Sequence, residues 1–142
     1  MTGHSTDIDA LRKRAATGWK ALGAPVPILY DNARADEKVP PSFVRLSVRP
    51  SREEQRSLGN ERVRVKREGR VWLQVAIPKG NPDSEAWALV DKAKALFVRW
   101  QSADFNLRGW EAETKVVEDI KHYIVSVSIR YTSERTEVNS IL

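Results

Sequence analysis

The chain has 142 residues, 41% hydrophobic and 30% charged, enough for one domain around one core. It contains no cysteine, which excludes disulfides, thiol catalysis and thiolate metal sites, and no apolar run approaches the roughly 20 residues that span a bilayer. The formal net charge is +5, and the segment Phe43 to Trp72 accounts for all of it: nine basic residues (Arg45, Arg49, Arg52, Arg56, Arg62, Arg64, Lys66, Arg67, Arg70) stand against Glu53, Glu54, Glu61 and Glu68. Charge gathered in one segment marks a surface that meets an acidic partner or nucleic acid.

The start, Met1 to Ser5, is polar and lacks the basic-then-apolar pattern of a signal peptide, so a flexible end and a cytoplasmic origin are expected. Ser5 or Thr6 can cap a first helix, with Asp7 and Asp9 in the favourable first turn and Gly23 as the stop. Ile8, Leu11, Ala15, Trp19 and Leu22 recur at helical spacing and form its apolar stripe. Val26 to Tyr30 reads as a short edge strand, because Pro25 and Pro27 cannot donate in a ladder. A charged, proline-containing loop from Ala33 to Ser42 follows.

Phe43 to Arg49 alternates as a strand, with Val44, Leu46 and Val48 inward and Arg45, Ser47 and Arg49 outward, and Pro50 to Gly59 reads as a polar connection. From Glu61 to Pro78 the pattern predicts a hairpin. A three-residue loop, Arg67-Glu68-Gly69 with Gly69 left-handed, pairs Val65 with Val71 and Val63 with Leu73 and keeps the faces consistent. Val63, Val65, Val71, Leu73, Val75 and Ile77 then face the core, with Arg62, Arg64, Lys66, Arg70, Trp72 and Gln74 outside.

Asn81 to Ser84 introduces a second helix, about Glu85 to Trp100, whose stripe is Ala86, Leu89, Val90, Ala93, Leu96, Phe97 and Trp100. Two strands close the chain. Trp110, Ala112, Thr114 and Val116 alternate with Glu111, Glu113 and Lys115, and after a turn at Glu118-Asp119, Tyr123, Val125, Val127, Ile129 and Tyr131 alternate with Ser126, Ser128 and Arg130. The polar tail from Ser133 is expected to be mobile. The order implies a single α+β domain, a mainly antiparallel sheet with two helices packed on one face.

Candidate chemistry is sparse. His4 and His122 have no third ligand at metal spacing, the pairs Glu111/Glu113 and Glu118/Asp119 sit where carboxylates are solvated, and neither a nucleophile elbow nor a phosphate-cradling glycine loop occurs. We therefore expect no enzyme and no cofactor. The basic hairpin is the stronger lead. Trp72 beside Arg64 is placed for a cation–π contact of about 0.5–1 kcal/mol, and the same residue types dominate protein interfaces. They also serve phosphate contact and base stacking, which leaves a small basic nucleic-acid-binding module as the alternative, opposed by the interleaved acidic residues. Trp19, Trp87 and Trp100 fall at helical positions and read as packing residues.

Several segments in succession resemble a known family. Pro27-Ile28-Leu29-Tyr30-Asp31-Asn32, a proline-containing loop into Phe43-Val44-Arg45-Leu46-Ser47-Val48, then Gln55-Arg56-Ser57-Leu58-Gly59, then Arg67-Glu68-Gly69-Arg70-Val71-Trp72 through Pro78-Lys79-Gly80 are together similar to the tail terminator proteins of long-tailed bacteriophages, prophages and gene-transfer particles. The likeness continues into the helix from Ser84 and the strand from Tyr123 to Tyr131. It implies an α+β subunit that forms a hexameric ring on the tail tube, stops tube polymerisation and presents a surface for head joining. The implied partners are further copies of the chain, the major tail tube protein, the head–tail connector protein and, by non-specific contact in the lumen, DNA, with no membrane. The implied location is the head-proximal end of a virion tail, assembled in the host bacterial cytoplasm. Expected interface residues are Arg62, Arg64, Lys66, Arg67, Arg70, Trp72 and Gln74 on the hairpin, with Gln55, Arg56 and Leu58 in the polar connection.

Overall fold

The computed structural model describes residues 3–30, 40–56 and 62–138. In chain order the elements are α1 (His4–Ala21), β1 (Ile28–Tyr30), β2 (Phe43–Gln55), β3 (Arg62–Pro78), α2 (Asp83–Phe97), β4 (Leu107–Glu118) and β5 (His122–Val138). The strands form one sheet in the order β1-β2-β3-β5-β4, antiparallel except for the short parallel pair β1–β2. This is the expected α+β architecture. One core joins Leu11, Ala15 and Trp19 of α1 and Ala86 to Phe97 of α2 to a single face of the sheet.

The helices follow their predicted stripes with small differences at the ends. α1 starts earlier than predicted, with Gly3 at the N-cap and no side-chain cap, so Ser5 and Thr6 lie inside it. It ends where Gly23 takes a φ of 64°, a left-handed conformation that costs glycine little. Ile8 is half-buried and Leu22, beyond the last turn, is exposed. α2 ends at Phe97, and Trp100 lies past it, edge-on to Phe97 at 6.1 Å. Trp19 is buried and its indole N–H donates to the Val26 carbonyl at 2.7 Å.

The strands depart most from expectation. No hairpin interrupts Arg62 to Pro78; β3 runs straight through and pairs with β2 on one side and β5 on the other. Val71 therefore lies between Val48 and Ile129, and Leu73 between Leu46 and Val127, rather than opposite Val65 and Val63. The inward and outward sets were nonetheless assigned correctly. Their period of two is unbroken from Val63 to Ile77, and a single strand satisfies it without a loop. Gly69 does not mark a turn. A Cβ there would come within 2.5 Å of the Arg49 carbonyl oxygen and 2.7 Å of the Tyr131 hydroxyl, so glycine permits the close approach of β2 and of the Tyr131 ring.

Two other segments thought to be irregular are strand. β2 continues past Pro50 to Gln55, with a register shift between Pro50 and Arg52 where the proline cannot donate. β5 continues through Ser133 to Val138 and stays paired to β3 as far as Arg62. Where the tail was expected to be mobile, Ser133 is buried. Of the expected loop Ala33 to Ser42, residues 33–39 lie outside the described residues, as do Leu58 and Gly59 of the polar connection and residues 139–142.

Candidate functional site: the arginine-rich sheet face

The face of the sheet away from the helices is built by the alternate residues of four strands, and the register fixes which of them meet. Ser47, Trp72, Ser128 and Glu113 form one cross-strand row. The next row sets Arg49, Arg70 and Arg130 directly opposite one another. Like charges in register destabilise a sheet unless each has a partner, and each of these does. The Arg49 guanidinium lies 5.8 Å from the Trp72 ring centre. Arg70 donates to the Ser128 hydroxyl at 3.0 Å and approaches Glu113 at 3.9 Å. Arg130 donates to Glu111 at 3.1 Å and lies 5.1 Å from the Trp110 ring centre. The Glu111 backbone N–H, then Arg130, hold the Glu111 carboxyl below its ordinary range.

Of the predicted interface residues, Arg62, Arg64, Lys66, Arg70, Trp72 and Gln74 share this outer face, as expected from their spacing on β3. The ring partner of Trp72 is Arg49, not Arg64; the Arg64 guanidinium instead meets Glu134 at 3.4 Å. Gln55 ends β2 opposite Val65, and Arg56 contacts Glu54 at 3.6 Å and Glu134 at 3.7 Å. Leu58 lies outside the described residues. Arg67 is not on this face at all. It points to the helix side, 4% exposed, in a bidentate pair with Glu137 and a bridge to Glu53 at 2.5 Å. The hydrogen bonds from Arg67 hold the Glu137 carboxyl low, and the same contacts raise the Arg67 pKa.

This buried pair belongs to a polar cluster beneath the first turn of α1. Asp7, fully buried, accepts from the Ser133 hydroxyl at 2.5 Å and from Arg135 at 3.1 Å. Arg135 also reaches Asp104 at 3.5 Å. Burial, then the Asp7 charge, push the Tyr131 phenol upward. His4 lies at this end of the sheet and His122 at the other, opposite Pro78, so the two histidines do not meet. Among the described residues no three groups cluster as a metal site.

Alternation along β4 sets Trp110 in line with Ala112, and the structure corrects that placement. A register shift between Gly109 and Ala112 takes it out of line with Ala112 and onto the outer face. There it donates to the Thr132 hydroxyl at 2.8 Å and lies between Arg108 at 5.3 Å and Arg130 at 5.1 Å. The signal was Gly109, since a Cβ at that position would run into the Phe97 carbonyl oxygen. Trp110 is the wall between two clefts. One, of about 690 Å³, lies between the end of α2 and the β4 edge, and is lined by Lys94, Arg99, Trp100, Arg108 and Glu111 among others. The second, of about 350 Å³, is lined by Phe105, Arg130, Thr132 and Glu134.

No family model and no curated protein matches the chain. Among the solved structures 19 chains match. One whose name states no function superposes with a TM-score of 0.69 at 19% identity, covering 94% of this chain and 96% of its own. The likeness shows that this helix-and-sheet arrangement recurs as a complete unit, and so concerns the fold alone.

Proposed function

We propose that the chain is a non-enzymatic structural protein of a phage-like tail, which closes the tail tube as a ring of six copies, stops its polymerisation and offers a surface to the head connector. The observation that carries the reading is the row Arg49, Arg70 and Arg130 with Trp72 and Trp110 beside it. Arginine and tryptophan held rigidly in a sheet are the residue types that dominate protein contacts. Carboxylates and rings already engage these arginines, so the face favours a shaped protein partner over the diffuse phosphate backbone that an uncompensated basic surface attracts. The succession of tail-terminator-like segments, which spans most of the chain, supports this specific role. The tube protein, the connector and passing DNA are the partners this role entails, and the head-proximal end of the tail is the location.

The test is electron microscopy of particles produced with a stop codon at Trp19 in this gene. Overlong tubes without heads, restored to normal by an intact copy, are expected. Normal tails joined to heads would remove the reading, and binding of the purified chain to DNA that falls steeply with salt would then favour the nucleic-acid alternative.

A further inference from the structure

The hairpin joining β4 to β5 carries at its tip an apolar knob that none of the described residues covers. Ile120 is 93% exposed at the tip, and Val117 on the outer face of β4 is 44% exposed, as is Val116 on the opposite face. The knob is held firmly. The Asp119 carboxylate accepts from the backbone N–H groups of Lys121 at 2.8 Å and His122 at 2.6 Å, and the Lys79 N–H donates to the Lys121 carbonyl at 3.0 Å. These bonds fix the backbone of the turn, which lowers the cost of ordering it on binding.

At the other end of the same strand lies the larger cleft, walled by Trp100 and Trp110. The charges complement each other. Lys94, Arg99 and Arg108 surround the cleft with Glu111 as its carboxylate, while Glu118 and Asp119 precede Ile120 with Lys121 after it. The knob cannot enter its own cleft, because Ala112 to Ile120 is eight residues of mostly extended chain, roughly 25 Å. A knob and a socket at opposite ends of one subunit form a heterologous pair, the kind of contact that closes rings or, failing closure, builds filaments.

We propose that the Val117–Ile120 tip of one copy seats between Trp100 and Trp110 of the next, with Glu118 and Asp119 against Lys94, Arg99 and Arg108. This supplies the subunit contact of the ring and rests on the ring reading above, although the contact and the closure are tested separately.

The absence of native cysteine makes the test direct. Chains carrying Ile120→Cys are mixed with chains carrying Arg108→Cys, at the highest soluble concentration, and joined with a short bis-maleimide. The mixed pair is expected to cross-link at least tenfold faster than Ile120→Cys with Arg52→Cys, whose position on β2 lies at the opposite side of the sheet. Adding Glu118→Lys to the first chain should abolish the gain, and adding Arg99→Glu to the second should restore part of it. Equal rates for the two pairs, or preferential joining of Ile120→Cys chains to each other, would overturn the contact. A chain bearing both Ile120→Cys and Arg108→Cys separates the two claims. A ladder that stops at six supports contact and ring together, whereas an open-ended ladder keeps the contact and removes the ring.

Discussion

β3 and β5 run side by side for their whole length, yet their two halves are built on different principles. From Val71 to Ile77, and opposite it from Tyr123 to Ile129, the helix side is apolar and sealed under α2. From Val63 to Arg67, opposite Ser133 to Glu137, it is ionic: Arg67 is locked to Glu137 and Glu53, and Ser133 and Arg135 to Asp7 of α1. Burial of hydrocarbon stabilises the first half without directional demands. The second half needs every partner in place, because a buried charge that loses its counterpart costs more than the pair contributes. Beyond the apolar core the strands meet Asp7 of α1 on this side, through Ser133 and Arg135.

Five changes test this contrast, from the largest effect to the smallest. Asp7→Ala leaves Arg135 without its buried partner and is expected to cost about 4 kcal/mol in urea unfolding. Wild-type stability would show that the ionic half is merely tolerated. Leu73→Ala in the apolar half should cost about 3 kcal/mol by creating a cavity, with hydrogen exchange loosened around α2 and not around α1's first turn. Gly69→Ala sits where the two halves join. It should cost about 2 kcal/mol by forcing β2 and the Tyr131 ring aside, and a neutral result would contradict the close approach there.

Acid separates the halves without mutation. The native pKa values of Glu137, held low by Arg67, and of Asp104, held low first by the Ser102 hydroxyl, lie below their unfolded values. Their contribution is therefore full above the ordinary carboxylate range near pH 4 and is lost as pH falls through the native values. Glu137→Gln should flatten part of that acid dependence in thermal melts, whereas Leu73→Ala should leave its shape unchanged. The smallest effect belongs to the outer face. Trp72→Ala should cost about 1 kcal/mol of stability, because the ring is half-buried outside the main core and its Arg49 contact is worth about that much. A loss of tail termination out of proportion to that cost would place Trp72 in the partner contact.

The same contrast explains what could be read from the sequence. The apolar half was legible: its alternation, both helix stripes and the α+β arrangement follow from periodicity, and the inward residues of β3 were identified even though its course was not. The ionic half was not legible. Arg67-Glu68-Gly69 carries the residues of a turn, and nothing local reveals that Glu137, which lies 70 positions on, pairs with Arg67. Pro50 and Ser133 misled in the same way, since strand was continued past them by neighbours distant in sequence. On the outer face, the members contributed by β3 were visible from their spacing, but the row with Arg49 and Arg130 and the displacement of Trp110 depend on strand order and on the irregularity after Gly109.

The most direct measurement is cryo-electron microscopy of the head–tail junction in intact particles that carry this chain. Six copies are expected to close the head-proximal end of the tube, each with this helix-and-sheet fold. Particles whose tube end is closed by another protein, with this chain absent or bound to the packaged DNA, would contradict it.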